Sequence, residues 1–237
     1  MKTYNYLFII LINIISSATV LGSFDYSEEQ FKKELYSAYK ADETKTIWKY
    51  GLGSTILLVA TREATIIPIQ DEISGSKPLG ESSQYGDLMG QLIPNFTYFA
   101  YQKWSQHSDR RANFMLKTSM YSGITTFFLK RLINERRPSG DDRNSMPSGH
   151  TTTAFAFAGV VGIEHPEWAI PAYTLASFVA VSRINDNAHY IHNITMGATI
   201  GLAYAYGLKS VEVKEKVSLL SYPVGSDGLA LNAVMKF

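Results

Sequence analysis

Apolar residues recur at helical spacing over most of the chain. Phe31, Leu35 and Tyr39 follow a capping box at residues 27–30 and predict an amphipathic helix. Longer helices are predicted for residues 46–62, 87–104 with an interruption at Pro94, 109–134, 151–162, 168–182 and 188–208. Two polar segments, residues 70–85 and 139–144, are predicted loops. The pattern therefore predicts an all-α protein, a bundle of helices.

The last part of the chain has a different pattern. Residues 217–224 and 229–237 are short apolar segments on either side of a Gly-Ser-Asp-Gly turn. In the second segment apolar side chains alternate with period two, as they do in a strand. We expect a short C-terminal β-hairpin and divide the chain into a helical domain, residues 24–209, and a tail, residues 210–237.

The N-terminus has the pattern of a signal peptide. Lys2 precedes a mainly apolar stretch, and small residues near position 23 offer cleavage sites. Residues 1–23 are therefore predicted to direct export, and an uncleaved membrane anchor is the alternative. Both readings place the rest of the protein in the periplasm, or on a membrane facing it.

Charge and hydropathy narrow the classes of partner. The formal net charge is +1, which gives no general attraction to nucleic acid, and no cysteine is present to form a disulfide framework. The mean hydropathy is −0.06. A spanning helix needs about 20 apolar residues, and the predicted helices are shorter or interrupted by charged or polar side chains. We expect peripheral membrane contact or none, with a bundle of spanning helices as the alternative.

A short motif, residues 146–150, marks a candidate site. It reads Met-Pro-Ser-Gly-His and directly precedes an apolar helix. The N-terminus of a helix presents unpaired amide groups and the positive end of the helix dipole, so it suits a phosphate. Gly149 permits close approach of an oxyanion, and Ser148 can cap the helix or bind a phosphate oxygen.

Two flanking segments carry matching chemistry. Lys130 and Arg137 are seven residues apart, which places them on one face of a helix that Pro138 is expected to end. Downstream, Arg183 precedes His189 by six positions. Cations for phosphate oxygens, a nucleophile and a proton donor are the groups that phosphoryl transfer requires.

These three segments resemble the three motifs of the type 2 phosphatidic acid phosphatase and vanadium haloperoxidase superfamily. The family pattern is Lys-x6-Arg-Pro, then Pro-Ser-Gly-His, then Ser-Arg-x5-His-x3-Asp. This chain matches every defined position except the last, which is Asn193. The resemblance implies a helical bundle of the acid phosphatase and haloperoxidase type, a phosphoric ester hydrolase that needs no metal cofactor, and a phosphorylated lipid or a small phosphomonoester as substrate.

The resemblance also implies a role for each matched residue. His189 is the expected nucleophile and forms a phospho-histidine. His150 is the expected general acid for the leaving oxygen and then the base for water. The residues expected to bind phosphate are Lys130, Arg137, Ser148, Gly149 and Arg183.

Asn193 is the departure from the family pattern. The family's aspartate there holds Nδ1 of the nucleophilic histidine. On a helix, position 193 lies within reach of His189, and an asparagine oxygen can accept the same hydrogen bond without supplying charge. Asp186, in a predicted turn, is an alternative source of that charge.

Other interpretations stay open. His189, His192 and His150 have residue types that suit a metal site. Arg136 and Arg143 belong to a solvated basic surface or attract an anionic substrate. A vanadate-dependent haloperoxidase and a phosphate or lipid-headgroup binder without turnover are the alternative functions.

Overall fold

The computed structural model describes residues 27–140, 142–224 and 228–235. The chain divides into two units, Met1–Leu35 and Tyr36–Phe237. The predicted signal peptide lies outside the described residues. Helix α1 begins as its capping box predicts, since the Ser27 hydroxyl accepts a hydrogen bond from the amide of Gln30 at 3.1 Å.

The described residues are mainly helical, which confirms the all-α prediction. The helices are α1 (Glu28–Lys40), α2 (Asp42–Ala60), α3 (Ile67–Ser76), α4 (Ser83–Met89), α5 (Ile93–Ala100), α6 (Asp109–Ile133), α7 (Gly149–Glu164), α8 (Ala169–Asn185) and α9 (Ile191–Lys216). Short π-helical turns follow α2 and α5, at Arg62–Ile66 and Tyr101–Ser105. Strands β1 (Val217–Val224) and β2 (Gly228–Met235) pair antiparallel as a hairpin.

Helix α7 forms the centre of the bundle and packs against α6, α8 and α9. Its small apolar residues, among them Ala156, Ala158 and Val160, are fully buried. Gly197 and Gly201 bring α9 against it, since a Cβ at these positions would lie 2.6 Å from the Ser148 carbonyl and 2.5 Å from the Thr152 carbonyl. This contact fixes the start of α7 beside the start of α9.

Three sequence predictions are wrong in detail. Residues 70–85 do not form one loop, because α3 continues to Ser76 and α4 begins at Ser83. Gln70 holds α3 in place, since its amide donates to the Ile184 carbonyl at 3.2 Å and to Asn187 Oδ1 at 2.9 Å. Pro138 does not end α6, which stops at Ile133 where Asn134 adopts a left-handed conformation with φ 51°. The last helix begins at Ile191 and continues beyond residue 208 to Lys216.

To cross a membrane, the described helices would have to be both long enough and apolar enough. None of them meets both requirements alone. One bent pair, Asp42–Ala60 with Arg62–Ser76, meets them together, with an angle of 80° between its two parts.

Candidate active site

The second motif forms the capped start of α7. The buried Ser148 hydroxyl accepts hydrogen bonds from the Thr151 amide at 3.4 Å and the Thr151 hydroxyl at 3.0 Å, so it caps the helix. Gly149 is the first helical residue. The unpaired amide groups of this first turn and the positive end of the helix dipole therefore lie next to His150.

The first motif approaches this helix start from the end of α6. Lys130 lies in the last turn of α6, and a Cβ added to Gly149 would be 3.9 Å from its Cε. Lys130 Nζ donates to the Asn144 carbonyl. Arg137 does not share a helical face with Lys130, because α6 has already ended. It is held in the following loop by Asp142 Oδ1 at 2.7 Å and the Ala188 carbonyl at 3.2 Å.

The third motif forms the turn between α8 and α9. The carbonyl of Arg183 accepts hydrogen bonds from the amides of Ala188 at 3.0 Å and His189 at 3.2 Å. These bonds place His189 just before α9, with 2% of its surface exposed. Arg183 itself is 5% exposed and donates to Asp186 Oδ2 at 2.5 Å.

Burial and mutual charge shift the pKa values of the cationic and imidazole side chains of the three motifs, which act on one another as one cluster. Burial lowers the pKa of His189 well below its ordinary value, and Lys130, Arg137, His150 and Arg183 lower it further. Burial and Arg183 lower the pKa of His150 to about 4. Burial and Arg137 lower the pKa of Lys130 to about 7. A buried concentration of cations and neutral imidazoles is a setting that favours an anion.

Asp87, at the end of α4, was not expected at the site. Its Oδ1 lies 3.2 Å from His150 Nε2 and also accepts a hydrogen bond from Arg183. Its negative charge raises the pKa of His150, against burial and Arg183. Asp87 is therefore a carboxylate that faces both the expected general acid and an arginine that is expected to bind phosphate.

Glu135, between Lys130 and Arg137, was also missed. Its carboxylate lies 2.8 Å from His192 Nε2 and accepts a hydrogen bond from Asn193 Nδ2 at 2.6 Å. Asn193 does not accept the expected hydrogen bond from Nδ1 of His189. Its Oδ1 accepts hydrogen bonds from the Ser145 hydroxyl at 2.5 Å and the Tyr190 amide at 3.0 Å.

A family model described as the PAP2 superfamily matches residues 82–216 of this chain. The chain belongs to the PAP2 superfamily. All three motifs, and both carboxylates that were missed, lie within the matched region.

The chain is also similar to lipid phosphatases. The lipid A 1-phosphatase of Porphyromonas gingivalis is 43% identical over 70 residues, which are 28% of this chain and 16% of that protein. The lipid A 4'-phosphatase of Helicobacter pylori is 34% identical over 94 residues, which are 39% of this chain and 46% of that protein. The chain thus spans less than half the length of these relatives. A crystal structure of a transmembrane PAP2-type phosphatidylglycerolphosphate phosphatase from Bacillus subtilis matches with a TM-score of 0.37 and 18% identity, covering 90% of this chain and 98% of that one.

The other candidate groups named from the sequence have the following partners in the structure. Asp186 accepts hydrogen bonds from the side chains of Arg183 and Asn185. Nδ1 of His189 is buried and has no hydrogen-bond partner among the described residues. His192 is fully buried and pairs with Glu135. In the part of the chain that the structure describes, no group of three or more His, Cys, Asp and Glu side chains is arranged to hold a metal ion.

Arg136 and Arg143 lie outside the cluster. Both side chains are exposed, and each donates to a nearby backbone carbonyl, of Gly140 at 3.4 Å and of Asn134 at 3.3 Å. They therefore form a basic surface beside the loop that carries Arg137.

Proposed function

We propose that this chain is a phosphoric ester hydrolase that removes phosphate from a phosphorylated lipid through a phospho-histidine on His189. The observation that carries the proposal is the cluster of the cations Lys130, Arg137 and Arg183 with the imidazole of His150 around the buried His189. The capped start of α7 adds amide donors to these cations. Together they supply positive groups for the oxygens of one phosphoryl group.

The reaction takes two steps. In the first, Nε2 of His189 forms a bond to phosphorus, the bond from phosphorus to the lipid oxygen breaks, and His150 gives its proton to that oxygen. In the second, His150 takes a proton from water, whose oxygen attacks phosphorus and breaks the P–N bond. Inorganic phosphate leaves, and both histidines return to their starting states.

Substrate binding prepares the acid for the first step. The pKa of His150 is about 4 because of burial and Arg183, so His150 is neutral at neutral pH. A phosphate brings negative charge into this cationic cluster, which raises the pKa of nearby bases. The substrate therefore promotes protonation of the group that must donate to its leaving oxygen.

The surface beside the site suits a lipid substrate. At the end of α6, Phe128 is 60% exposed and Leu132 is 79% exposed. Arg131 is exposed next to Leu132 in the chain, and Arg136 and Arg143 are exposed in the loop that follows α6. Apolar and cationic side chains at one place match an acyl chain next to an anionic headgroup. The named relatives act on lipid A, and we propose this substrate class for the chain, reached from the periplasmic face of a membrane after export.

A substrate screen tests this function. Phosphate release is measured with lipid A phosphorylated at the 1 or 4' position, phosphatidate and p-nitrophenyl phosphate, for the wild type and His189→Ala. We expect release from at least one lipid by the wild type and none by the variant. Equal release by both proteins would contradict the proposal. So would sulfate binding without turnover of any substrate, or halide oxidation with added vanadate in place of hydrolysis.

A further inference from the structure

Glu135 connects the three motifs of the site although it belongs to none of their defined positions. Its carbonyl accepts a hydrogen bond from the Ser145 amide at 3.0 Å, ahead of the second motif. Its carboxylate binds His192 and Asn193 at the start of α9. Its own position, between Lys130 and Arg137, lies inside the first motif.

Asn193 extends these connections to the main chain around the nucleophile. The Tyr190 amide donates to its Oδ1, and Tyr190 is the residue next to His189. The Ser148 amide donates to its carbonyl at 3.0 Å. A third residue of a helix that bonds back to the amide before the first turn is one half of a capping box, which fixes how the chain enters the helix.

The hydrogen bonds of the Asn193 side chain also explain why this position holds a neutral amide. Asn193 has one oxygen and one amino group, and both are used: the oxygen accepts from Tyr190 and Ser145, and the amino group donates to Glu135. An aspartate here would place two carboxylates at the 2.6 Å distance that Nδ2 now keeps from Glu135 Oε2. Two such anions repel each other, so asparagine fits where the family has aspartate.

We propose that Glu135 takes the place of the family's aspartate at the start of α9 and positions His189 through Asn193. The inference rests on the proposed function, since it explains how that site keeps a negative group beside Asn193 without the family's aspartate. Glu135 is a positioning residue, because it touches Asn193 and His192 and not the reacting atoms.

The charge of Glu135 supports the same role. Burial raises its pKa, but hydrogen bonds from His192 and Asn193 and the charge of Arg62 outweigh burial and hold the pKa below its ordinary value. Glu135 therefore remains ionised at neutral pH. Asp142 and, to a smaller extent, Glu135 raise the pKa of Lys130 against burial and Arg137, and so keep more of that lysine protonated for phosphate.

The test is an exchange of the two side chains. In Glu135→Gln, an amino group replaces one of the two carboxylate oxygens, so either His192 Nε2 or Asn193 Nδ2 loses its hydrogen-bond acceptor. In Asn193→Asp, two carboxylates meet. We expect each single variant to lower kcat by about tenfold to hundredfold, the effect of losing a hydrogen bond to a charged group. In the double variant the new amide donates to the new carboxylate, and we expect kcat to recover by at least about tenfold over either single variant.

Two further measurements separate positioning from general stability. Glu63→Gln removes an exposed carboxylate and is the matched control, with kcat expected to stay at the wild-type value. Glu135→Gln is expected to lose its affinity for inorganic sulfate at a lower pH than the wild type, because the pKa of Lys130 falls when the charge of Glu135 is removed.

Failure of rescue in the double variant, or a Glu135→Gln variant with wild-type kcat and an unshifted pH profile, overturns the inference. If the wild type hydrolyses none of the substrates, the proposed function fails. The sulfate affinities of the wild type, Glu135→Gln, Asn193→Asp and the double variant then decide the inference alone. Recovery of affinity in the double variant supports it, and additive losses overturn it.

Discussion

The carboxylate of Asp87 lies 3.2 Å from Nε2 of His150, at the end of α4. The same oxygen accepts a hydrogen bond from Arg183. Asp87 therefore holds a negative charge beside the proposed general acid and an arginine that is proposed to bind the phosphate. It favours protonation of His150 and, at the same time, competes with a phosphate for Arg183.

Replacing Asp87 separates these two effects. In Asp87→Asn, we expect tighter binding of inorganic sulfate, by about threefold to tenfold, because a competing anion is removed from Arg183. We expect kcat to fall, because removing the carboxylate lowers the pKa of His150 and leaves less of the general acid protonated. Isothermal titration with sulfate and steady-state kinetics measure the two quantities. Weaker sulfate binding together with unchanged kcat would contradict this account of Asp87.

Anion binding should depend on pH through Lys130. The pKa of this lysine is about 7, and a bound anion raises it, so binding takes up a proton at pH values above 7. Affinity for sulfate, whose charge is constant in this range, should therefore fall as pH rises from 7 to 9, by up to about tenfold per pH unit for one proton. Lys130→Arg, which stays charged, is the control and should flatten the profile. A pH-independent wild-type affinity would contradict the low pKa of Lys130.

The acid role of His150 predicts a dependence on the leaving group. An alkoxide needs a proton to leave, whereas p-nitrophenolate is already a weak base. His150→Ala should therefore lose at least about tenfold more activity on an alkyl phosphate than on p-nitrophenyl phosphate. The same two substrates are assayed with His189→Ala, which should lose both activities. Equal losses on both substrates in His150→Ala would remove its assignment as the acid.

The sequence predicted the helical class and the residues of the three motifs, because periodicity and motif spacing are local properties of the chain. It did not predict Glu135, whose partner Asn193 is 58 residues away. An acidic residue in a basic segment usually belongs to a solvated surface. The mismatch at Asn193 was the available signal, since a missing carboxylate suggests a search for another one.

Asp87 was missed for a similar reason, since its partner Arg183 is 96 residues away. Its neighbours Gly86 and Gly90 allow α4 to approach the site. A Cβ at these positions would lie 2.2 Å from Ser182 Oγ and 2.6 Å from His150 Cβ. Arg137 was wrongly placed on α6 because Pro138 was taken as the stop, whereas Asn134 ends the helix by adopting the left-handed conformation. The proline at position 138 gave the stronger local signal.

The apolar surface at the end of α6 predicts a difference between lipid and soluble substrates. The double variant Phe128→Ser with Leu132→Ser should lower activity on a phosphorylated lipid in anionic vesicles by about tenfold. Activity on p-nitrophenyl phosphate should stay at the wild-type value. Ile170→Ser is the matched control: Ile170 is 80% exposed but lies ~20 Å along α8 from Arg183. Equal vesicle activity in all three proteins would show that this surface does not meet the lipid.

The central claim is that His189 carries the phosphoryl group, and trapping that group tests it most directly. The protein is mixed with the best substrate from the screen and quenched in base within the first turnover, since phospho-histidine survives base and not acid. Peptide mass spectrometry then locates the modification. We expect one phosphoryl group on His189 in the wild type, more of it in His150→Ala during hydrolysis of p-nitrophenyl phosphate, and none in His189→Ala. Phosphate release by the wild type with no modified His189 peptide at any quench time, or full activity in His189→Ala, would contradict the account.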